Sequence, residues 1–343
     1  MKVERIISNK NIRKRICILA GMCILTAIVA AIQVNVSMMN KKLEKYNSIT
    51  DKSILIPDIS QGFIPQGIAY DQDSGYIFLT GYMGNGSASP IYIMDPSTGE
   101  LIKKILMYDP AGKPFKGHAG GISAYNGELY VAGSTNACMY VFDIEELLEA
   151  DNLSKVQYAK EVGLRMADDF IRVSFTAVDD ELLYAGEYHK SPLFYTDEDH
   201  AIKNSDGVHK AYLLGFEVDE NYNAIPKKVY SIPDSVQGAC FKDGYVFLSI
   251  SRGFAPSDIA VYRLDDVLQV GMHEVLGVEV PLYILDSSVC SKMAKVPLMS
   301  EEIITIEDKL LLISESASNR YLIGKSLGMD KIAATPIDYF LNP

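Results

Sequence analysis

The chain has 343 residues, 32 Lys and Arg against 44 Asp and Glu, a net charge of −12, and 48% hydrophobic against 22% charged residues. That balance excludes an intrinsically disordered chain and supplies enough apolar side chain for a sizeable core. Residues 1–45 hold nine basic and two acidic side chains, so the body is left at −19, a charge that repels phosphate backbones and excludes nucleic acid as an expected partner.

A cytoplasmic basic segment, residues 1–15, ends in Arg13, Lys14 and Arg15. No charge follows from Ile16 to Asn40, and these 25 residues, rising about 1.5 Å each, suffice for the ~30 Å hydrocarbon layer. Residues 16–39 are therefore expected to be a transmembrane helix or uncleaved signal anchor. The preceding basic residues keep the N-terminus cytoplasmic and send the body, after a linker over 40–52, to the extracytoplasmic side. The alternative is a secreted protein cleaved after Val29-Ala30-Ala31. A lipoprotein site at Cys23 fits less well, because Met22 stands where a small residue is needed.

Cys17 and Cys23 lie in the apolar segment, which leaves Cys138, Cys240 and Cys290 in the body. An odd number gives no disulfide framework, and no spacing matches a zinc motif. Cys138 and Cys240 sit in apolar strand-like runs and read as buried small hydrophobes.

From residue 53 onward the chain repeats. The first copy runs from Gly67 to Tyr82 and on through Ile91 to Asp95. The second, Gly121 to Ser134 followed by Met139 to Asp143, reads as strand, Asn126-Gly127 hairpin, strand, loop, strand. Copies three to five run from Ser174 to Glu187, Gly238 to Ser251 and Glu302 to Glu315, with hairpin turns at Asp179-Asp180, Asp243-Gly244 and Glu307-Asp308. Third strands are expected at Ala211 to Val218, Asp258 to Leu264 and Arg320 to Ile323. Outer strands are expected at Leu101 to Met107, Val156 to Val162, Lys227 to Ile232 and Val278 to Leu285.

Runs of Val, Ile, Leu, Phe and Tyr with period two, in sheets that cannot bury both faces alone, point to radial stacking. The fold class expected is all-β, a β-propeller over 53–343 with five four-stranded blades, or six if Lys331 to Phe340 hides another. The fifth copy has no clear outer strand, and Lys52 to Asp58 reads like the outer-strand phrase Lys228 to Asp234, so residues 53–57 are expected to complete the last blade and latch the ring.

The run Ile91-Tyr92-Ile93-Met94-Asp95-Pro96-Ser97-Thr98-Gly99-Glu100-Leu101-Ile102 resembles YVTN-type bacterial propeller repeats. Lys116-Gly117-His118-Ala119-Gly120-Gly121 is similar to the Gly-His phrase that opens a WD-repeat blade, although without Trp the Trp-Asp signature is absent. The resemblance, over about residues 53–325, implies a propeller; such folds host binding proteins, lactonases, nucleotidases and glycosidases.

Inner strands line a propeller's channel, so equivalent repeat positions form rings. The residues before each inner strand are Gln66, Gly120, Val173, Gln237 and Glu301, with His118, Arg172 and Glu302 beside them. Those after each second strand are Tyr82, Ser134, Glu187, Ser251 and Glu315, flanked by Tyr188, His189, Arg252 and Ser316. The ligand-binding residues expected are Gln66, His118, Arg172, Glu187, His189, Gln237, Arg252, Glu301 and Glu315. Glu187, Glu301 and Glu315 are the metal-ligand candidates, through hard oxygens suited to a divalent cation such as Ca²⁺, and with His118 the catalytic candidates. The competing reading is structural: mouth residues that bond loop backbone and water, with Arg172 or Arg252 neutralising a Glu.

Blade three carries an insertion from Glu187 to His209 holding His189, His200 and His209, with no recognised metal spacing; it reads as a loop over the binding face, and Asp197-Glu198-Asp199 as a solvated turn. Asp143 to Leu148 and Leu264 to Leu268 read as Asp-capped surface turns. Nucleophile-elbow, Walker, dinucleotide and His-Glu-x-x-His motifs are absent. The function expected is an anchored ligand-binding or protein-interaction module for a small ligand or cell-envelope partner. The alternative is a metal-dependent hydrolase or lactonase-like enzyme using the funnel carboxylates.

Overall fold

A computed structural model describes residues 37–321 and 328–342, together with Thr26. The basic segment and nearly all of the expected transmembrane segment lie outside the described residues, among which no helix is long and apolar enough to cross a membrane. The chain divides into units of residues 1–45 and 46–343. The second is a five-bladed β-propeller.

Blade one is the antiparallel meander Phe63–Tyr70, Ile77–Met83, Pro90–Met94 and Leu101–Tyr108. Blade two is Ile122–Tyr125, Glu128–Gly133, Cys138–Asp143 and Lys160–Gly163, and blade three is Val173–Val178, Leu183–Glu187, Ala211–Val218 and Ala224–Ile232. Blade four is Val236–Lys242, Tyr245–Ile250, Ser257–Arg263 and Cys290–Val296, and blade five is Ser300–Ile306, Lys309–Ser314 and Ala333–Pro336. The first strand of each packs against the first strands of its neighbours, and blade five meets blade one, so the ring is closed.

Local sequence sets the hairpins. Asn126 and Gly127, and again Asp243 and Gly244, take positive φ at both central positions, the two-residue turn whose twist matches that of the strands it joins. Apolar residues then fill the wedges between blades. Tyr130 and Val141 of blade two pack with Leu183 and Leu214 of blade three, and Ile68 and Leu79 of blade one with Ile313 of blade five. Cys138 and Cys240 are buried in such wedges.

The ring is closed by chain from both ends. Asp51 N donates to Ala334 O, Ile56 N to Asp330 O and Ile332 N to Ile54 O, each at 2.9 Å, so residues 51–56 run antiparallel to residues 330–334 through isolated bridges and take the outer place in blade five. The linker expected over 40–52 also contains a helix, Glu44–Ile49, whose Tyr46 is buried 5.9 Å from the Tyr339 ring.

Several strand assignments differ from the sequence expectation. The third strand of blade five is Ala333–Pro336: Arg320 and Tyr321 are not in a strand, residues 322 and 323 lie outside the described residues, and the tail completes blade five instead of forming a sixth blade. Val278–Ile284 is no outer strand of blade four. With Gln269–Val275 it forms a hairpin that joins blade three in parallel with Ala224–Ile232, and Cys290–Val296 takes the outer place in blade four. The run expected from Val156 to Val162 splits, Lys155–Gln157 pairing in parallel with blade one and Lys160–Gly163 closing blade two. Asp143 does cap its helix, Ile144–Glu149, accepting from Glu146 N at 2.8 Å, whereas the turn Leu264–Asp266 follows Arg263 and has no side-chain cap.

Candidate functional site

Four inner strands carry a bulge at the same place. In blade one the pairing steps from Pro65 opposite Gly81 to Gly67 opposite Thr80, which leaves Gln66 unmatched. Blade three skips Ser174 and blade four skips Gln237 in the same way, while in blade five Glu301 and Glu302 together span the step between Ser300 and Ile303. A bulge re-aims a side chain that strict alternation would direct elsewhere. Gln66, Ser174, Gln237 and Glu301 all line one cavity of about 730 Å³. Blade two has Gly120 and Gly121 at this point, and Gly120 lies against Ser174 O.

Glu302, beside Glu301, serves the channel itself. Its Oε2 accepts from Ile68 N at 2.9 Å and Ile122 N at 2.7 Å, and its Oε1 from Thr176 N at 3.0 Å, equivalent positions in blades one, two and three. The carboxylate leaves no room for a Cβ at Gly121, which would stand 2.1 Å from Oε1. Burial raises the Glu302 pKa and the donated N–H groups lower it, for a net value of about 8. Glu302 lines a second cavity of about 530 Å³, bordered by the hairpin turns at Asp179 and Asp243, and is absent from the lining of the first.

The floor of the larger cavity is a carboxylate pair. Glu301 is 3% exposed and accepts from Gln237 Nε2 at 3.2 Å through Oε1. Glu315 accepts from the Tyr321 hydroxyl at 2.7 Å and from Gln66 Nε2 at 3.4 Å. Burial first, then the Glu315 charge beside it, pushes the Glu301 pKa well above the usual carboxylate range, and burial raises that of Glu315. Neither forms an ion pair among the described residues. Burial and these two carboxylates push the Tyr188 hydroxyl up to about 12.

Aromatic groups make the walls. The rings of Tyr82 and His118 lie 4.7 Å apart, and the Arg320 guanidinium sits 5.8 Å from the Tyr82 and Tyr321 rings. His118 keeps water-accessible surface, yet the protein around this concave position withholds bulk hydration and pulls its pKa down to about 4. Arg172, Lys190, Phe194 and Phe254 also line the cavity. Arg252 does too, and is paired with Asp258 at 3.0 Å.

Of the residues expected to bind ligand, the structure brings together Gln66, His118, Arg172, Gln237, Arg252, Glu301 and Glu315. Glu187 and His189 are not in the lining. Glu187 is opposite Val173, the register that Gly81 and Ile250 hold in blades one and four, so the residue matching Tyr82, Ser251 and Glu315 is Tyr188. One residue of slip reverses the face. Both Glu187 oxygens are engaged inside blade three, by Arg172 N at 3.0 Å, His200 Nδ1 at 2.7 Å and Tyr212 N at 3.1 Å. His189 is buried, its Nδ1 3.1 Å from Thr196 Oγ1. Glu187, Glu301 and Glu315 are therefore not assembled around one cation, and no three His, Cys, Asp or Glu among the described residues are placed to hold a metal. The insertion contributes Lys190 and Phe194 to the cavity, while His200 and His209 are buried elsewhere.

No protein-family model matches the sequence, and no curated protein does. Solved structures match over most of both chains. Glutaminyl cyclase from Myxococcus xanthus has 8% identity and a TM-score of 0.43, covering 84% of this chain and 92% of its own. The PQQ-bound aldose sugar dehydrogenase from Streptomyces coelicolor has 13% identity and a TM-score of 0.45, covering 83% and 96%. A GH43_1 enzyme from Xanthomonas citri complexed with xylose has 10% identity and a TM-score of 0.47, covering 83% and 90%. At such values these likenesses carry no argument about activity.

Proposed function

We propose that the chain is a membrane-anchored, extracytoplasmic propeller that binds a small ligand in the cavity floored by Glu301 and Glu315. One observation carries this reading: bulges in four blades aim polar side chains into the same cavity, where two carboxylates lie close together without a counter-ion among the described residues. Burying charge uncompensated is costly, and such a cost persists in binding sites because a ligand offsets it. The uncharged run over 16–39 supports the anchor, the repeat rhythm of Ile91 to Ile102 supports kinship with YVTN-type bacterial repeats, and the exposed Phe194 and Phe254 support a cell-envelope partner at the same mouth. A second reading, acid–base chemistry on the bound molecule, is favoured by the raised proton affinity of Glu301, the direction of shift that a general acid needs.

Thermal unfolding of the full-length chain with neutral saccharides, divalent cations after chelation, carboxylates, amines and amino acids tests ligand binding. At 100 times Kd a ligand adds about 2.7 kcal/mol, a shift of several degrees. At least one class should shift the wild type and leave Glu301→Gln and Glu315→Gln unmoved. Equal responses from all three proteins to every class would remove the funnel as the site.

A further inference from the structure

The cavity is chemically bipolar. At its floor Glu301 is almost wholly buried, and its Oε2 takes part in no hydrogen bond among the described residues, although the side chain lines open space. Glu315, its neighbour, receives only neutral donors, the Tyr321 hydroxyl and the Gln66 amide. Buried Glu301 and half-buried Glu315, held by amides and a phenol, have no donor that carries positive charge among the described residues. A metal ion is a poor match, because no third His, Cys, Asp or Glu is at hand among the described residues. An ammonium group needs no such shell: it donates three hydrogen bonds, and its attached methylenes rest favourably against aromatic faces such as those of Tyr82, Tyr188 and Tyr321.

The same lining also carries the opposite sign. Arg172 and Lys190 line the cavity and form no ion pair among the described residues, and Arg172 Nε is buried without a hydrogen bond. Arg172 is nonetheless held in place, its backbone N–H bonded to Glu187 and its guanidinium 5.8 Å from the Phe170 ring. A donor without an acceptor on a fixed element invites a carboxylate, to which guanidinium bonds bidentately. A plain amine would satisfy the floor and meet repulsion at these cations, and a plain acid would satisfy the cations and be repelled from the floor.

Resting on the ligand-binding reading above, we propose that the cavity takes a small zwitterion, with its ammonium at Glu301 and Glu315 and its carboxylate at Arg172 and Lys190. The ligand class is an amino acid or short amino-carboxylate whose connecting chain is apolar enough to lie against the tyrosine walls.

The test uses the full-length chain and an ω-amino acid series from glycine to 6-aminohexanoate, each member beside the alkylammonium and the carboxylate of equal length, read by calorimetric titration. L-Leucine and L-phenylalanine extend it to α-amino acids. At least one zwitterion should bind ten-fold or more tightly than both of its half-analogues. Glu301→Gln should weaken it at least ten-fold, and Arg172→Met should remove its advantage over the amine without weakening amine binding. Binding of a neutral saccharide that Glu301→Gln abolishes, with every zwitterion inert, would overturn the proposal and leave the ligand-binding function standing. An alkylammonium that equals the best zwitterion would overturn the assignment of Arg172 and Lys190. Absence of binding by every probe, saccharides included, would overturn both. Circular dichroism of each variant, matched to wild type, separates lost contacts from lost fold.

Discussion

Glu301 and Glu302 are adjacent in sequence and face opposite tasks, because the bulge in blade five places both against a single partner residue. Glu301 turns to the cavity and Glu302 to the axis, where it accepts backbone N–H groups from blades one, two and three. Glu302→Ala strands those three buried donors, each costing about 1–3 kcal/mol if left unmet, so urea unfolding should show a loss of at least about 3 kcal/mol. The pH dependence has a definite sign. With a folded pKa of about 8 against an ordinary 4.5, the folded state holds the proton more tightly than the unfolded chain. The stability linked to that proton is fully present below pH 4.5, falls as pH rises toward 8 and is flat above. Glu302→Gln should shrink this slope by a few kcal/mol across the interval. An unchanged slope would mean that the Glu302 proton is not what the fold retains. Spacing showed that an acid stands at this repeat position, but the axial role was not legible, since it depends on three strands remote in sequence.

Within blade three the insertion is fastened by a buried ion pair. His200 is stacked on Tyr212 with ring centroids 4.1 Å apart, and its Nδ1 lies 2.7 Å from Glu187 and its Nε2 3.7 Å from Asp169. Burial pulls the His200 pKa down, but the hydrogen bonds to Asp169 and Glu187 win and raise it to about 9. Its contribution is therefore whole below pH 6.5 and lost as pH rises through 9. His200→Ala leaves the Glu187 carboxylate buried without its cation, at about 3 kcal/mol. Hydrogen exchange should quicken over residues 190–210 and in Ala211–Val218, with blades one and five unchanged; acceleration spread evenly over all blades would show that the pair supports the whole ring and not this element. Glu187 also explains what the sequence hid. Strand, turn and strand were legible from the hydrophobic rhythm, and that rhythm placed Gln66, Gln237, Glu301 and Glu315 around one cavity. It set copy three one residue early, reading Val173 and Glu187 where Ser174 and Tyr188 match Gln66 and Tyr82 of blade one. Copy three has Asp179-Asp180 at its turn and no glycine to fix the repeat frame, so a slip of one residue left no mark in the hydrophobic period.

At the scale of the ring, closure depends on a short antiparallel pairing between residues 51–56 and residues 330–334, which lead into and begin the strand Ala333–Pro336. The latch was legible because Ser53 to Ile56 repeats an outer-strand phrase, whereas its partner was misplaced, since the chain after Ser314 makes a long excursion before returning at Ala333. A blade missing its outer strand exposes the wedge between blades five and one, where Ile54, Ile56 and Ile332 are buried with Ile68 and Leu79. The pairing can be cut without touching that core. The exposed Asp51 donates its backbone N–H to Ala334 O at 2.9 Å, so Asp51→Pro deletes a latch bond while Asp51→Ala deletes only the side chain. Relative to Asp51→Ala, the proline variant should lose about 1–3 kcal/mol in urea unfolding. Because each blade rests on two neighbours, the loss should appear as a lower midpoint of one cooperative transition. Coincident curves for the two variants would show that the ring holds without this bond. A separate early transition in the proline variant would show instead that blade five opens alone, making the latch a local clasp and the other four blades self-sufficient.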